Sequence, residues 1–268
     1  MSSFIKKVYI VSIVRPLAKV DLITNKFSRK KQCYICKTEF GHFTKHRGGT
    51  KYVPDFFKRL NLVGSDIDNF RCMYCKAHDR ERHLFMFFDK LSFWDKFKNG
   101  NVLHFAAEKN LSLTIQKSSP STYIKADLYP KDNTITKMDA TNIPNADNYF
   151  DVVICNHVME HIPDYKKAMS EIFRVLKLGG TAILQAPYST LLKENFEVKE
   201  TDTDEFRNFF YGQRDHVRIF SERRYFDALK SIGFRLEIAK NSDYFSDEEC
   251  IRFGVNKMED LVRVVKPS

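Results

Sequence analysis

From residue 99 onward the chain alternates short apolar runs with amphipathic stretches. "NVLHFAA" (101–107) follows Gly100 and reads as a strand. "TYIKAD" (122–127) reads as a second strand, ending on an acid, and "YFDVVICN" (149–156), rich in β-branched residues, as a third. Beyond it Tyr165, Ala168, Met169, Ile172, Phe173 and Leu176 recur with i, i+3, i+4 spacing, the pattern of a helix with one buried face. Lys177 and then Gly179-Gly180 are expected to close that helix, and "TAILQAPY" (181–188) to form the next strand. "SERRYFDALKSIGF" predicts a helix capped by Ser221 and stopped at Gly233, and "RLEIAKN" and "DLVRVVK" predict the last two strands. Alternation of this kind predicts an α/β fold with a parallel sheet. No internal repeat interrupts it.

The chain before residue 93 follows other patterns. Residues 1–31 are basic with an apolar stripe, Phe4, Val8 and Val11 at helical spacing, and Pro16 limits any helix there. This arm is expected either to lie on a membrane surface or to dock on the main domain. Residues 32–92 carry two cysteine pairs, Cys33-x-x-Cys36 and Cys72-x-x-Cys75, separated by a loop containing Gly41, Gly48 and Gly49. Each pair can make a tight turn that aims two sulfurs at one point, and two such turns supply the four thiolates of a structural zinc site. A closed four-sulfur site leaves no position for catalysis, so its expected role is to fold a segment too small to hold its own core. Residues 93–268 form the α/β domain.

Composition sharpens this division. Hydrophobic residues make up 43% of the 268, enough to bury a sizeable core. No apolar run approaches the ~20 residues of a membrane span. The apolar run after Lys6 and Lys7 is cut short by Arg15, with no small-residue cleavage site, so a cytoplasmic protein is expected, with the arm able to reach the inner face of the membrane. The net charge of +10 is unevenly placed: residues 1–100 hold 21 Lys and Arg against 9 Asp and Glu, and the remainder hold 23 against 25. The basic excess therefore belongs to the N-terminal part, where it suits nucleic acid, anionic lipid or a phosphorylated substrate, or merely solvates a lysine-rich surface.

The stretch "CNHVMEHIP" (155–163) contains His157-x-x-Glu160-His161, the order of residues in inverted zinc peptidases. On a helix the two histidines would share a face. A catalytic zinc also needs a third protein ligand, and none declares itself downstream, so this stretch is expected to hold no metal.

The same stretch has a second context. Residues 138–188, with Asp139 in "MDAT", Phe150-Asp151 opening a strand, "HVMEHI" after it and "EIFRVLKLGG" before the next, resemble the class I S-adenosylmethionine-dependent methyltransferases. "RCMYCKAHDRERH", "VLHFAAE" and "YGQRDHVRIF" narrow the resemblance to a subgroup with an N-terminal cysteine cluster, set in bacterial surface-polysaccharide biosynthesis. The resemblance implies a Rossmann-like, mostly parallel sheet with its last strand antiparallel. It also implies S-adenosylmethionine as cofactor and a small-molecule or glycan acceptor. The family's glycine-rich first turn is absent: His104, Ala106, Glu108 and Asn110 stand at its positions, which implies a reshaped pocket after Phe105 and Ala106. Asp127, ending its strand, is expected to take the ribose hydroxyls, and Asp139 the adenine amino group with help from the Ala140 backbone. Glu108 and Asn156 are expected at the methionine end. Either Asp could instead simply cap a turn.

Methyl transfer to an alcohol needs a base with a pKa near neutral. "GQRDHVR" offers His216 with Asp215 to orient it, between Arg214 and Arg218, which could hold a carboxylate or phosphate. His157 and His161 are rival bases. O-methylation of a sugar is the leading expectation. An RNA methyltransferase using the basic cysteine module, or a non-catalytic binding module, remain the alternatives.

Overall fold

The computed structural model describes residues 31–198 and 203–268, so all but the last residue of the expected arm, 1–31, lies outside the described residues. The described chain falls into two compact units, one of residues 31–52, 65–86 and 245–257, the other of residues 53–64, 87–244 and 258–268.

The larger unit is built on a seven-stranded sheet. Its strands are β1 (Asn101–Phe105), β2 (Thr122–Asp127), β3 (Thr136–Lys137), β4 (Phe150–Asn156), β5 (Leu176–Gln185), β6 (Arg235–Ala239) and β7 (Leu261–Val265). They lie in the order β6-β7-β5-β4-β1-β2-β3. β3, β2, β1, β4 and β5 pair in parallel, and β7 runs antiparallel between β5 and β6. The chain moves outward from β1 to β3 on one side and from β4 to β5 on the other. The sheet therefore has its switch point between β1 and β4, where parallel α/β sheets open a crevice beyond the carboxyl ends of the strands.

Burial explains the central strands. Every residue of β4 except Asp151 is buried, as expected of a strand covered on both faces. The helix Tyr165–Val175 (α2, following α1, Lys109–Lys117) buries Tyr165, Ala168, Met169, Ile172 and Val175, and the Asp164 carboxylate caps it by accepting from the Lys167 N–H. After the helix Asp204–Tyr211 (α3) comes Glu222–Ile232 (α4), capped by Ser221 and stopped at Gly233. The φ of +112° at Gly233 suits glycine, and a Cβ there would lie 3.1 Å from the Phe173 ring.

The closing of α2 differs from expectation. The helix ends at Val175, and Leu176 is already extended and opens β5. Gly179 and Gly180 lie inside that strand, where the register jumps from Phe150 opposite Leu176 to Val152 opposite Thr181. Leu176 satisfied the helical spacing, but its burial comes from pairing beside Phe150. The glycines allow the chain between the two registers to bulge.

In the smaller unit both cysteine pairs form the same turn. The Cys33 N–H donates to the Thr38 carbonyl (3.0 Å) and the Cys72 N–H to the Ala77 carbonyl (2.9 Å). The residues after the pairs, Lys37 and Lys76, are both left-handed, with φ of +58° and +66°. Arg82, fully buried, binds the segments around them. Its guanidinium donates to the carbonyls of Ala77 (2.9 Å), Asn69 (2.6 Å), Phe253 (2.8 Å) and Gly254 (2.6 Å), and it stacks 3.9 Å from the Phe43 ring centre. Residues 245–257, far away in sequence, are thereby fixed into the cysteine unit. Arg82→Met should remove these donors, with only the Ala77 carbonyl keeping its bond from the Cys72 N–H, and lower stability by at least about 3 kcal/mol, read from urea denaturation. A loss below about 1 kcal/mol would show that the clamp is dispensable.

Candidate functional site

β1 delivers the first side chains to the crevice. Its last residue, Phe105, is buried, and Ala106 beyond it takes a φ of +47° while its N–H donates to the Ala126 carbonyl at 2.8 Å. The turn thus keeps the left-handed conformation that a glycine would supply, at a cost of roughly 1–2 kcal/mol for a residue with a Cβ. Glu108 stands at the start of α1, and its carboxylate is held on both oxygens. One lies 2.8 Å from His104 Nε2, and the other accepts from Asn156 Nδ2 at 2.6 Å. His104 Nδ1 in turn lies 2.9 Å from the Tyr123 hydroxyl, which burial and then Glu108 push well above the usual phenol range. The line Tyr123–His104–Glu108–Asn156 ties β2, β1 and β4 together at the switch point. The expected neighbours Glu108 and Asn156 do meet, and the buried Asn156 Oδ1 is left without a hydrogen bond among the described residues.

Asp127 and Asp139 come together at the ends of β2 and β3, because the Met138 N–H donates to the Asp127 carbonyl at 3.0 Å. Each caps a turn with one carboxylate oxygen. Asp127 Oδ1 accepts from the Tyr129 N–H at 2.8 Å, and Asp139 Oδ1 accepts from the Thr141 N–H and hydroxyl, both at 2.8 Å. The second oxygen of each makes no hydrogen bond among the described residues. Ala140 is buried behind them. A cleft lined by Thr181, Arg235, Arg263 and Lys266 opens at the opposite end of the sheet, away from all these groups.

The H-x-x-E-H stretch does not form one helix. His157, with a φ of +55°, turns away from the strand, and only Met159–His161 form a short 3-10 turn. His157 Nε2 lies 3.1 Å from Glu259 Oε1, so its ring is engaged within the fold. His161 instead meets His216, ring centres 4.7 Å apart, beside the buried carboxylate of Glu160. The Nδ1–H of His161 donates to the Asp215 carbonyl (3.0 Å) and the Nδ1–H of His216 to the Tyr211 carbonyl (3.0 Å). Burial would raise Glu160, but the His157 hydrogen bond and the nearby histidines outweigh it and hold the carboxyl at about 2. Burial drives His216 down to about 4 against the pull of Glu160.

Three expectations for this region change. The Asp215 carboxylate is largely exposed and lies 3.4 Å from His161 Nδ1, while His216 is oriented by the Tyr211 carbonyl. The basicity of His216 is well below neutral because it is buried. Arg218 is not available to a ligand: it is buried, donates to Glu197 (2.7 Å) and to the carbonyls of Met159, Ile162 and Pro163, and so fixes the 159–163 loop. Tyr123, His104 and Glu160 were not singled out from sequence. The histidine at the acid position of the family's first turn, in "VLHFAAE", was the available signal for the first two, and the motif's own acid for the third.

In the smaller unit the four sulfurs of Cys33, Cys36, Cys72 and Cys75 lie within 4.8 Å of one another. Hydrogen bonding to Cys36 raises Cys33, and the same bond lowers Cys36, so protons are shared unevenly across the cluster. Four thiolates this close need a cation between them, and the set suits a tetrahedral ion. The Tyr74 N–H donates to Cys72 Sγ at 3.4 Å, a backbone contact of the kind that supports bound thiolates.

Residues 99–184, from β1 through most of β5, match the model of the methyltransferase domain family. An uncharacterized methyltransferase of Bacillus subtilis, YcgJ, is 33% identical over 81 residues, 30% of this chain and 29% of its own. A demethylmenaquinone methyltransferase of Staphylococcus epidermidis is 44% identical over 45 residues, 17% of this chain and 19% of its own. The aligned segments thus span under a third of these relatives. Among solved structures, that of YcgJ has a TM-score of 0.45 at 16% identity, covering 69% of this chain and 99% of its own. An S-adenosylmethionine-dependent methyltransferase of Mesorhizobium loti has a TM-score of 0.48 at 11% identity, covering 66% and 95%.

Metal analysis of the purified chain should find about one zinc held by the cysteines and lost in Cys33→Ser or Cys72→Ser. A stably folded, metal-free wild type would refute the assignment.

Proposed function

We propose that the chain is an S-adenosylmethionine-dependent methyltransferase that O-methylates a sugar or another small polar acceptor in surface-polysaccharide biosynthesis. The observation that carries the first half is the coincidence of the methyltransferase-domain match with two acid turns and Asn156 at the carboxyl edge of one sheet. The sugar and its setting rest on the resemblance of "VLHFAAE" and "YGQRDHVRIF" to one subgroup.

S-adenosylmethionine supplies a methyl group on a positively charged sulfur. The free carboxylate oxygens of Asp127 and Asp139 would receive the ribose hydroxyls and the adenine amino group, and Asn156 Oδ1 would receive a donor at the methionine end. Methyl transfer to an acceptor oxygen would break the carbon–sulfur bond and leave its electron pair on sulfur. Positioning for in-line attack supplies most of the rate. The acceptor's proton would go to the Glu160–His161–His216 cluster acting together, since burial makes His216 a weak base by itself. His157, engaged with Glu259, supports the loop that carries Glu160. The cysteine unit is structural, holding one zinc. The RNA alternative is favoured by the basic excess of residues 1–100 alone, and would declare itself as salt-sensitive binding of RNA by the intact chain.

Asp127→Ala and Asp139→Ala should each weaken S-adenosylmethionine binding by roughly 1–3 kcal/mol in calorimetry. Unchanged affinity in both would place the cofactor elsewhere. Mass spectrometry of surface glycans from cells with and without the gene should differ by a methyl group. Against a glycan acceptor so identified, His216→Gln should slow transfer by roughly 10²–10⁴-fold with cofactor affinity preserved. A full rate in that variant would remove His216 from the chemistry.

A further inference from the structure

Glu160, His161 and His216 reach one point from two separated segments of the larger unit. One oxygen of Glu160 and the ring nitrogens of the two histidines lie within 4.8 Å of one another, the only such group among the described residues besides the cysteines. Both histidines are set in the same way. A carbonyl can only accept, so the bonds from His161 Nδ1 to Asp215 O and from His216 Nδ1 to Tyr211 O place a proton on each Nδ1. In the neutral ring the lone pair then sits on Nε2, which for His161 lies 3.9 Å from Glu160 Oε1. Backbone carbonyls fix metal-binding histidines in this tautomer.

The lone pairs are also unsatisfied. His216 Nε2 and Glu160 Oε2 are buried and have no hydrogen-bond partner among the described residues. His216 is 8% exposed and Glu160 1%. Two buried acceptors in one cluster, neither with a donor, cost several kcal/mol unless something positive or proton-bearing lies there. His157 does not fill the gap, since its Nδ1 approaches the other oxygen, Oε1, at 3.5 Å.

We infer that Glu160, His161 and His216 form a binding site for a divalent first-row transition ion of the zinc type, distinct from the cysteine cluster. Two imidazoles and one carboxylate make the three-ligand set of open metal sites, which leave a position for water or a substrate oxygen. The site differs from the one the linear H-x-x-E-H order suggests: His157 is excluded, and His216, 55 residues beyond His161 in sequence, takes its place. Metal binding can be tested without S-adenosylmethionine or an acceptor, so failure of the methyl-transfer reading would leave the inference standing, and the reverse.

The experiment is a titration of the full chain, first loaded with one equivalent of zinc at its cysteines, with Co²⁺. It is followed by calorimetry and by the visible d–d bands. One further equivalent should bind the wild type, and Glu160→Gln and His161→Gln should weaken it by at least about tenfold. Thermal melts establish that each variant is folded. His161, the most exposed of the three, carries the test if Glu160→Gln is not folded. His157→Gln should retain the binding. No Co²⁺ bound beyond the cysteine cluster, or equal binding in wild type and a folded His161→Gln, overturns the site.

Discussion

Placing a carboxylate in the interior is the constraint around which the larger unit's functional edge is arranged. Glu160 is 1% exposed with its carboxyl held low by the histidines around it, and a buried charge is tolerated only if the surroundings answer it. The answers come from two parts of the chain: His157 just beyond β4 with His161 four residues on, and His216 beyond α3. Each must itself be anchored. Glu259 holds His157, the Tyr211 and Asp215 carbonyls hold the other two rings, and Arg218 pins the carbonyls of the loop that carries Glu160. Loops that would otherwise be independent are thus locked to one another at the carboxyl edge of the sheet, where the fold also presents Asp127, Asp139 and Asn156.

The smaller unit solves the opposite problem. There the buried group is a cation, Arg82, and its partners are backbone carbonyls of irregular segments that have no ladder to satisfy them. One side chain therefore replaces several missing secondary-structure bonds. With the two cysteine turns it provides order that a unit of such small strands could not draw from an apolar core alone.

Much of the architecture was legible because it is written in local patterns. The acid-ended run "TYIKAD" is a strand over the residues expected, and Ser221 and Gly233 bound their helix as capping chemistry requires. The parallel order follows from the alternation of strands and helices, while the antiparallel last strand was an implication of the family resemblance alone. What sequence could not give depends on partners far away in the chain. Leu176 looked helical until Phe150 paired with it. Asp215 is next to His216 in sequence, yet a turn directs it to His161. Arg218 looked like a ligand-binding arginine, and only the 159–163 loop reveals that its donors are spent internally. In the same way, the left-handed torsion at His157, invisible in the residue order, separates the two histidines of the motif.

Residues 245–257 belong with the cysteines, although the whole segment that matches the methyltransferase family model lies between them in the chain. The polypeptide passes from one unit to the other at 52–53, 64–65, 86–87, 244–245 and 257–258. No single cut can therefore release either unit intact. Gene fusion and exon-like shuffling trade contiguous blocks, and no contiguous block of this chain carries either unit whole without residues of the other.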